Sequence, residues 1–220
     1  MDVSQVITKK RVSDHGEVLT GKREVNAMLG LVKQETERIE SRFLEPACGN
    51  GNFLTVILER KLAMVEERYG RSQRDFERYA VLAVSSLYGI DILQDNVEQC
   101  RHRLSDVFDS QFYSRVFKTR ADDRCRRAVR FILERNIICG DALTLKTVGE
   151  KPGNIVFSEW SLVSESMVKR RDFTFQGLLA HEGVKETPLF SDLGEDVFIP
   201  TPVSEFPPAH FLDIANVQRQ

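Results

Sequence analysis

The chain has 220 residues, enough for one sizeable domain with an appendage. Its 31 basic and 33 acidic residues leave a formal charge of -2, which excludes an overwhelmingly basic nucleic-acid coat but not a local basic face. The four cysteines (Cys48, Cys100, Cys125, Cys139) form no CxxC pair, so they read as reduced thiols of an intracellular protein, with no zinc spacing. The N-terminal MDVSQVITKKRVSDHGE lacks an apolar signal region, and no run of about 18 apolar residues predicts a membrane span.

In chain order, Lys22 to about Glu40 predicts a helix, with Val25, Met28, Leu29 and Val32 at helical spacing. Phe43 and Leu44 begin a short strand that stops at Pro46. Asn52 is the expected cap of the following helix, FLTVILERKLAMVEERYG. A second helix is expected from Asp75 to about Ser86, then a strand at LYGIDI, 87–92. Asp95 to about Phe108 is amphipathic, and residues 121–134 predict another helix. NIICGDAL reads as strand then turn, and PGNIVFSEW as turn then a fourth strand. Five of the seven prolines follow Arg171, where periodicity fades into an irregular segment with one short strand expected at Val197–Ile199. The reading divides the chain into residues 1–40, an α/β domain over 41–171 and a proline-rich segment over 172–220.

Strands alternating with helices imply an α/β fold: a parallel sheet with helices on both faces and ligands at the carboxyl ends of its strands. Gly49 and Gly51 allow close backbone approach, but the spacing is not GxGxxG and no phosphate-gripping Lys-Ser or Lys-Thr follows. Glu45 in that loop would repel a pyrophosphate and suits a cationic ligand carrying an ammonium or sulfonium. Asp91 ends the second strand, where it can accept from both hydroxyls of a ribose. Asp141 ends the third, where it can accept from an exocyclic adenine amine.

FLEPACGNGNFL resembles the first motif of S-adenosylmethionine-dependent adenine-N6 DNA methyltransferases. YGIDILQDNVEQCRHRL is similar to their second motif, NIICGDAL to their third, and HGEVLTG at 15–21 to their upstream motif. The resemblance covers roughly residues 15–145 and implies a Rossmann-like class I methyltransferase fold, incomplete after the fourth strand. It implies that Glu45, Pro46, Ala47, Gly49 and Gly51 line the methionine part of S-adenosyl-L-methionine, with Thr20 above it. Asp91 with Ile92 would hold the ribose, and Asp141 with Ala142 the adenine. Gly21 stands where the upstream motif has proline.

The family's catalytic Asn-Pro-Pro-Tyr tetrad does not follow the fourth strand; Ser158-Glu159-Trp160 stand there instead. Glu159 and Trp160 are the candidate acceptor-side residues, one to accept from an amino group and one to stack on a flipped base. The Pro-Pro pair at Pro207-Pro208 reads as a loop. Lys169, Arg170 and Arg171, followed by Phe173 and Phe175, are the candidate DNA contacts, while Arg124, Arg126, Arg127 and Arg130 read as a solvated helical face.

Three functions remain open. One is an adenine-N6 DNA methyltransferase of a restriction-modification system. Another is an inactive donor-binding relative acting beside a partner: a second methyltransferase, a specificity subunit or an endonuclease. The last is a small-molecule methyltransferase with Glu159 on the acceptor side. All three place the protein in the cytoplasm, with no membrane contact and no metal.

Overall fold

The computed structural model describes residues 20–185 and 200–217. The upstream motif, except for Thr20 and Gly21, and the strand expected at Val197–Ile199 lie outside the described residues. The first helical stretch breaks in two, α1 (Lys22–Leu31) and α2 (Lys33–Glu37), at Val32, whose φ of -117° is not helical. Strand β1 (Phe43–Glu45) follows, then α3 (Asn52–Tyr69), α4 (Gln73–Ser85) and β2 (Leu87–Asp91). Gly51, at φ +87°, caps α3 and Asn52 is its first residue; the cap expected at Asn52 is therefore one residue late. Ser72 caps α4 by accepting from the Asp75 N–H.

Helix α5 (Gln94–Asp106) continues without a break into a π-helical segment, Val107–Tyr113, and then α6 (Ser114–Phe117). After it come α7 (Asp123–Asn136), β3 (Ile137–Asp141) and a two-residue strand β4 (Lys146–Thr147). Strands β1, β2 and β3 run parallel in that order, and β4 pairs antiparallel with β3. The architecture is α/β, a mixed sheet of parallel strands with helices packed on it.

Alternation along the strands sorts the core. Leu87 and Ile137 face the large core shared with Leu54, Leu58 and Val84 of the helices. Tyr88, Ile90 and Ile138 face a smaller cluster with Ile155, Phe157 and Phe175.

The expected fourth strand, β5 (Val156–Leu162), does not extend this sheet. It pairs antiparallel with β6 (Met167–Thr174), which also pairs with β7 (Ser204–Glu205) and β8 (Ala209–His210). Helix α8 (Phe175–Lys185) leaves the end of β6. The basic residues Lys169, Arg170 and Arg171 thus lie inside β6. Arg170, Asp172 and Ser158 share one face of the hairpin, where the Arg170 guanidinium grips Asp172 through Nε and Nη2 at 2.8 and 2.6 Å, and Ser158 Oγ donates to Asp172 at 2.7 Å.

Lys61 fixes the entry to β1. Its ammonium, fully buried, donates to the carbonyls of Ile39 and Ser41 and to Ser86 Oγ. Burial pushes its pKa down to about 7, opposed by the nearby Glu40 and Glu35 carboxylates. Lys61→Met keeps the stem and orphans three acceptors, so urea unfolding is expected to lose about 3 kcal/mol. A loss under about 1 kcal/mol would mean that those carbonyls find other donors.

Candidate functional site

The parallel register sets the geometry of the carboxyl edge. Glu45 pairs with Gly89 and Asp91 with Cys139, so Glu45, Asp91 and Asp141 each close one of three adjacent strands on the same edge. Neighbouring strands are about 4.8 Å apart and the register staggers the three carboxylates, Asp91 lying two residues beyond Glu45 and Asp141 two beyond Asp91, so they form a diagonal line across the edge.

The loop after β1 is held from two sides. Cys48 N–H donates to Ile90 O at 2.8 Å, and Gly49 N–H to Asp91 Oδ2 at 2.9 Å. On the other side, α5 presents Asn96, Cys100 and Arg103, one stripe at i, i+4 and i+7. Asn96 Nδ2 donates to Asp91 Oδ1 at 3.2 Å. Arg103 Nη1 donates to the carbonyl and Oδ1 of Asn50 and to Asn52 Oδ1, each at 2.8 Å. A Cβ on Gly51 would fall 2.7 Å from Cys100 Sγ. The close approach that Gly51 permits is therefore to Cys100 of α5, and its positive φ starts α3. Gly49, at φ +51°, carries the N–H that reaches Asp91.

Asp91 also accepts from Leu93 N–H at 2.9 Å on Oδ1. Among the described residues these three donors occupy most of its roughly four lone-pair directions and leave one on Oδ2. This carboxylate has room for one ribose hydroxyl, where the sequence reading gave it two. Asp141 is spent in the turn it begins, accepting from Leu143 N–H at 2.9 Å and Thr144 Oγ1 at 3.0 Å; the Leu143 bond, first among the causes, holds its carboxyl below the usual range.

Glu45 differs from both. It is half-buried, and loss of hydration pushes its pKa up, with an opposing bond from Ala47 N–H. Pro46 and Ala47 are exposed beside it. Ile92 is 48% exposed and Leu143 95%, leaving two apolar side chains on loops that follow Asp91 and Asp141, with half-buried Ala142 between Asp141 and Leu143. Thr20 reaches the same region through its carbonyl, which accepts from Asn52 Nδ2 at 3.0 Å. The edge combines a desolvated carboxylate, hydrogen-bond acceptors and exposed apolar side chains, a set suited to a cation joined to a polar sugar and a flat ring.

The candidate acceptor residues lie elsewhere. β5 starts at the carboxyl edge, where Ile155 N–H donates to Leu145 O, and runs the other way. Ser158 N–H meets Asn136 Oδ1, just ahead of β3, and Glu159 meets Arg42, just ahead of β1. Four residue steps of β2, roughly 13 Å, separate that amino end from the carboxyl edge. Glu159 is ion-paired on both oxygens, to Arg42 Nη2 at 2.5 Å and Arg171 Nη2 at 2.6 Å. Trp160 is 6% exposed and packs against Phe131 on one side, with Arg170, Phe206 and Pro207 over it. Neither side chain adjoins the row of carboxylates, and the Trp160 ring is covered, so the assignment of this pair to the acceptor side does not match their placement.

The basic residues also have partners inside the chain. Lys169 pairs with Glu205 at 2.7 Å, Arg170 with Asp172 and Arg171 with Glu159. Arg124 pairs with Asp213 at 2.7 Å, and Arg126 with Asp109 and Asp123 at 2.9 and 2.7 Å.

Among the described residues no group of three His, Cys, Asp or Glu side chains is placed to hold a metal ion, and no helix is long and apolar enough to cross a membrane. No family model, no curated protein and no solved structure matches this chain.

The raised pKa of Glu45 has a direct consequence for stability. Folding favours its neutral form, so its contribution is full below about pH 4 and falls as pH rises through the folded-state value. Glu45→Gln is therefore expected to melt above the wild-type protein at pH 7 and level with it below about pH 4. A wild-type protein that is the more stable of the two at pH 7 would contradict a desolvated Glu45.

Proposed function

We propose that this chain is a donor-binding subunit of a DNA methyltransferase, with a Rossmann-like class I fold that holds S-adenosyl-L-methionine at the carboxyl edge of β1, β2 and β3. The observation that carries the reading is that three successive parallel strands end in carboxylates, with desolvated Glu45 and the open direction of Asp91 left to a ligand while Asp141 holds its own turn. Glu45 faces the cationic methionine part, where a bound positive charge offsets the cost of its own burial. Asp91 takes one ribose hydroxyl, and Ile92, Ala142 and Leu143 flank the adenine. The backbone around Pro46, Ala47, Gly49 and Gly51 shapes the methionine end, with Thr20 beside it.

The reading that this chain works beside a partner, rather than alone, is favoured by one specific observation. Glu159 and Trp160 sit at the amino end of the strands, ion-paired and covered, and the sequence has no Asn-Pro-Pro-Tyr tetrad. The pocket that accepts the target adenine, its DNA contacts and the methyl-transfer geometry then come from a second chain of a restriction-modification system in the cytoplasm. The complete adenine-N6 methyltransferase is the second reading, and it requires an acceptor site from residues other than 158–160.

Calorimetric titration tests the donor site. S-adenosylmethionine is expected to bind once per chain, roughly tenfold more weakly to Glu45→Gln, about 1.4 kcal/mol, and unchanged to Arg42→Met at the opposite end. No saturable binding, or a Glu45→Gln titration identical to wild type, would remove the proposal. The lone chain is expected to transfer no methyl group from labelled donor to DNA, and measurable transfer would restore the complete-enzyme reading.

A further inference from the structure

A cleft lies at the amino end, between the edge strand β1 and the β5–β6 hairpin. Its volume is about 510 Å³, within the range that takes a small organic ligand. The hairpin register decides what faces it. Phe157 pairs with Phe173 and Glu159 with Arg171, so these four side chains share the face turned toward β1 and β2, while Ser158, Trp160, Arg170 and Asp172 point the other way. Across the cleft stand Arg42 and Tyr88, the latter with its ring 5.3 Å from that of Phe157 in edge-to-face contact.

The chemistry of the walls is lopsided. The interior is aromatic, and among the described residues the charged groups that line it are two guanidiniums and one carboxylate, an excess of one positive charge. Glu159 takes a single nitrogen from each arginine. Among the described residues Arg171 Nε and Glu159 Oε2 are both buried behind the cleft wall with no hydrogen-bond partner, so the ion pair there leaves one donor and one acceptor unmet. The Tyr88 hydroxyl, neutral at pH 7 and with its pKa pushed up to about 12 by burial, adds no negative charge.

We infer that this cleft binds a flat aromatic anion, its rings against Tyr88, Phe157 and Phe173 and its acid group on Arg171 and Arg42. Aromatic faces and edges favour a planar ring over a branched aliphatic group of equal size. The guanidinium fork matches a carboxylate, and the excess charge selects an acid over its neutral isostere. The site is separate from the carboxyl edge and does not depend on what that edge binds.

The test uses 2-naphthoate and its neutral counterpart 2-naphthalenemethanol, titrated by calorimetry into the full chain. Naphthoate is expected to bind once per chain, at least tenfold more tightly than the alcohol. Arg171→Met should bring the two affinities level while leaving that for the alcohol unchanged. Arg42→Met, at a more exposed position, should narrow the ratio about threefold, and it serves as the folded control if Arg171→Met fails to give the native circular dichroism spectrum. Absence of saturable naphthoate binding at millimolar concentration, equal binding of both probes to wild type, or a ratio unchanged in the folded variants would overturn the inference. Because neither arginine touches the carboxyl edge, failure here leaves S-adenosylmethionine binding untouched, and failure there leaves this cleft untouched.

Discussion

Asp91 is the joint on which the carboxyl edge depends. One carboxylate receives the Gly49 N–H from the loop after β1, the Leu93 N–H at the start of α5 and the Asn96 amide one turn further on. Loop, strand end and helix are therefore set by one side chain. Hydrogen bonds to an ionised acceptor are worth roughly 1.5–3 kcal/mol each, so the arrangement is stiff where a ligand would need it stiff. The same economy limits the site, because an acceptor that organises three protein donors has little left for a ligand. Glu45 is the complement: it accepts from the Ala47 N–H and is half desolvated, which raises its pKa and leaves its charged form in want of a cationic partner.

Much of this was legible in the sequence because it is local. Glycines, a strand that ends in Asp and an amphipathic helix after it are short-range signals, and β1, β2 and β3 with their helices fall where those signals place them. Gly51 shows where a local signal misleads. Its freedom suggests room for a ligand, but the nearest atom to a would-be side chain is Cys100 Sγ, 49 residues away in sequence. Asn96, Cys100 and Arg103 could have been found as a helical stripe, yet nothing local says which face of α5 meets the loop.

The hairpin was not legible, and the reason is physical. Met167–Thr174 contains three consecutive basic residues, which mask the alternation that marks a strand. In the folded chain that alternation is one of partners: Lys169 and Arg171 meet Glu205 and Glu159, while Arg170 meets Asp172. Pairing β5 with β6 turns Ser158-Glu159-Trp160 away from the row of carboxylates and opens the aromatic cleft beside β1. Pro207-Pro208 follows Phe206, whose ring lies 4.1 Å from the Arg170 guanidinium, and closes the outer face of the same hairpin.

The central claim is that the donor sits at the carboxyl edge and not in the amino-end cleft. Amide chemical-shift mapping during titration with S-adenosylmethionine separates the two directly. The account predicts shifts concentrated at Gly49, Gly51, Ile92 and residues 141–143, with Glu159 and Arg171 unmoved. Shifts centred on Arg42, Glu159 and Arg171, or none at saturating donor, would contradict it.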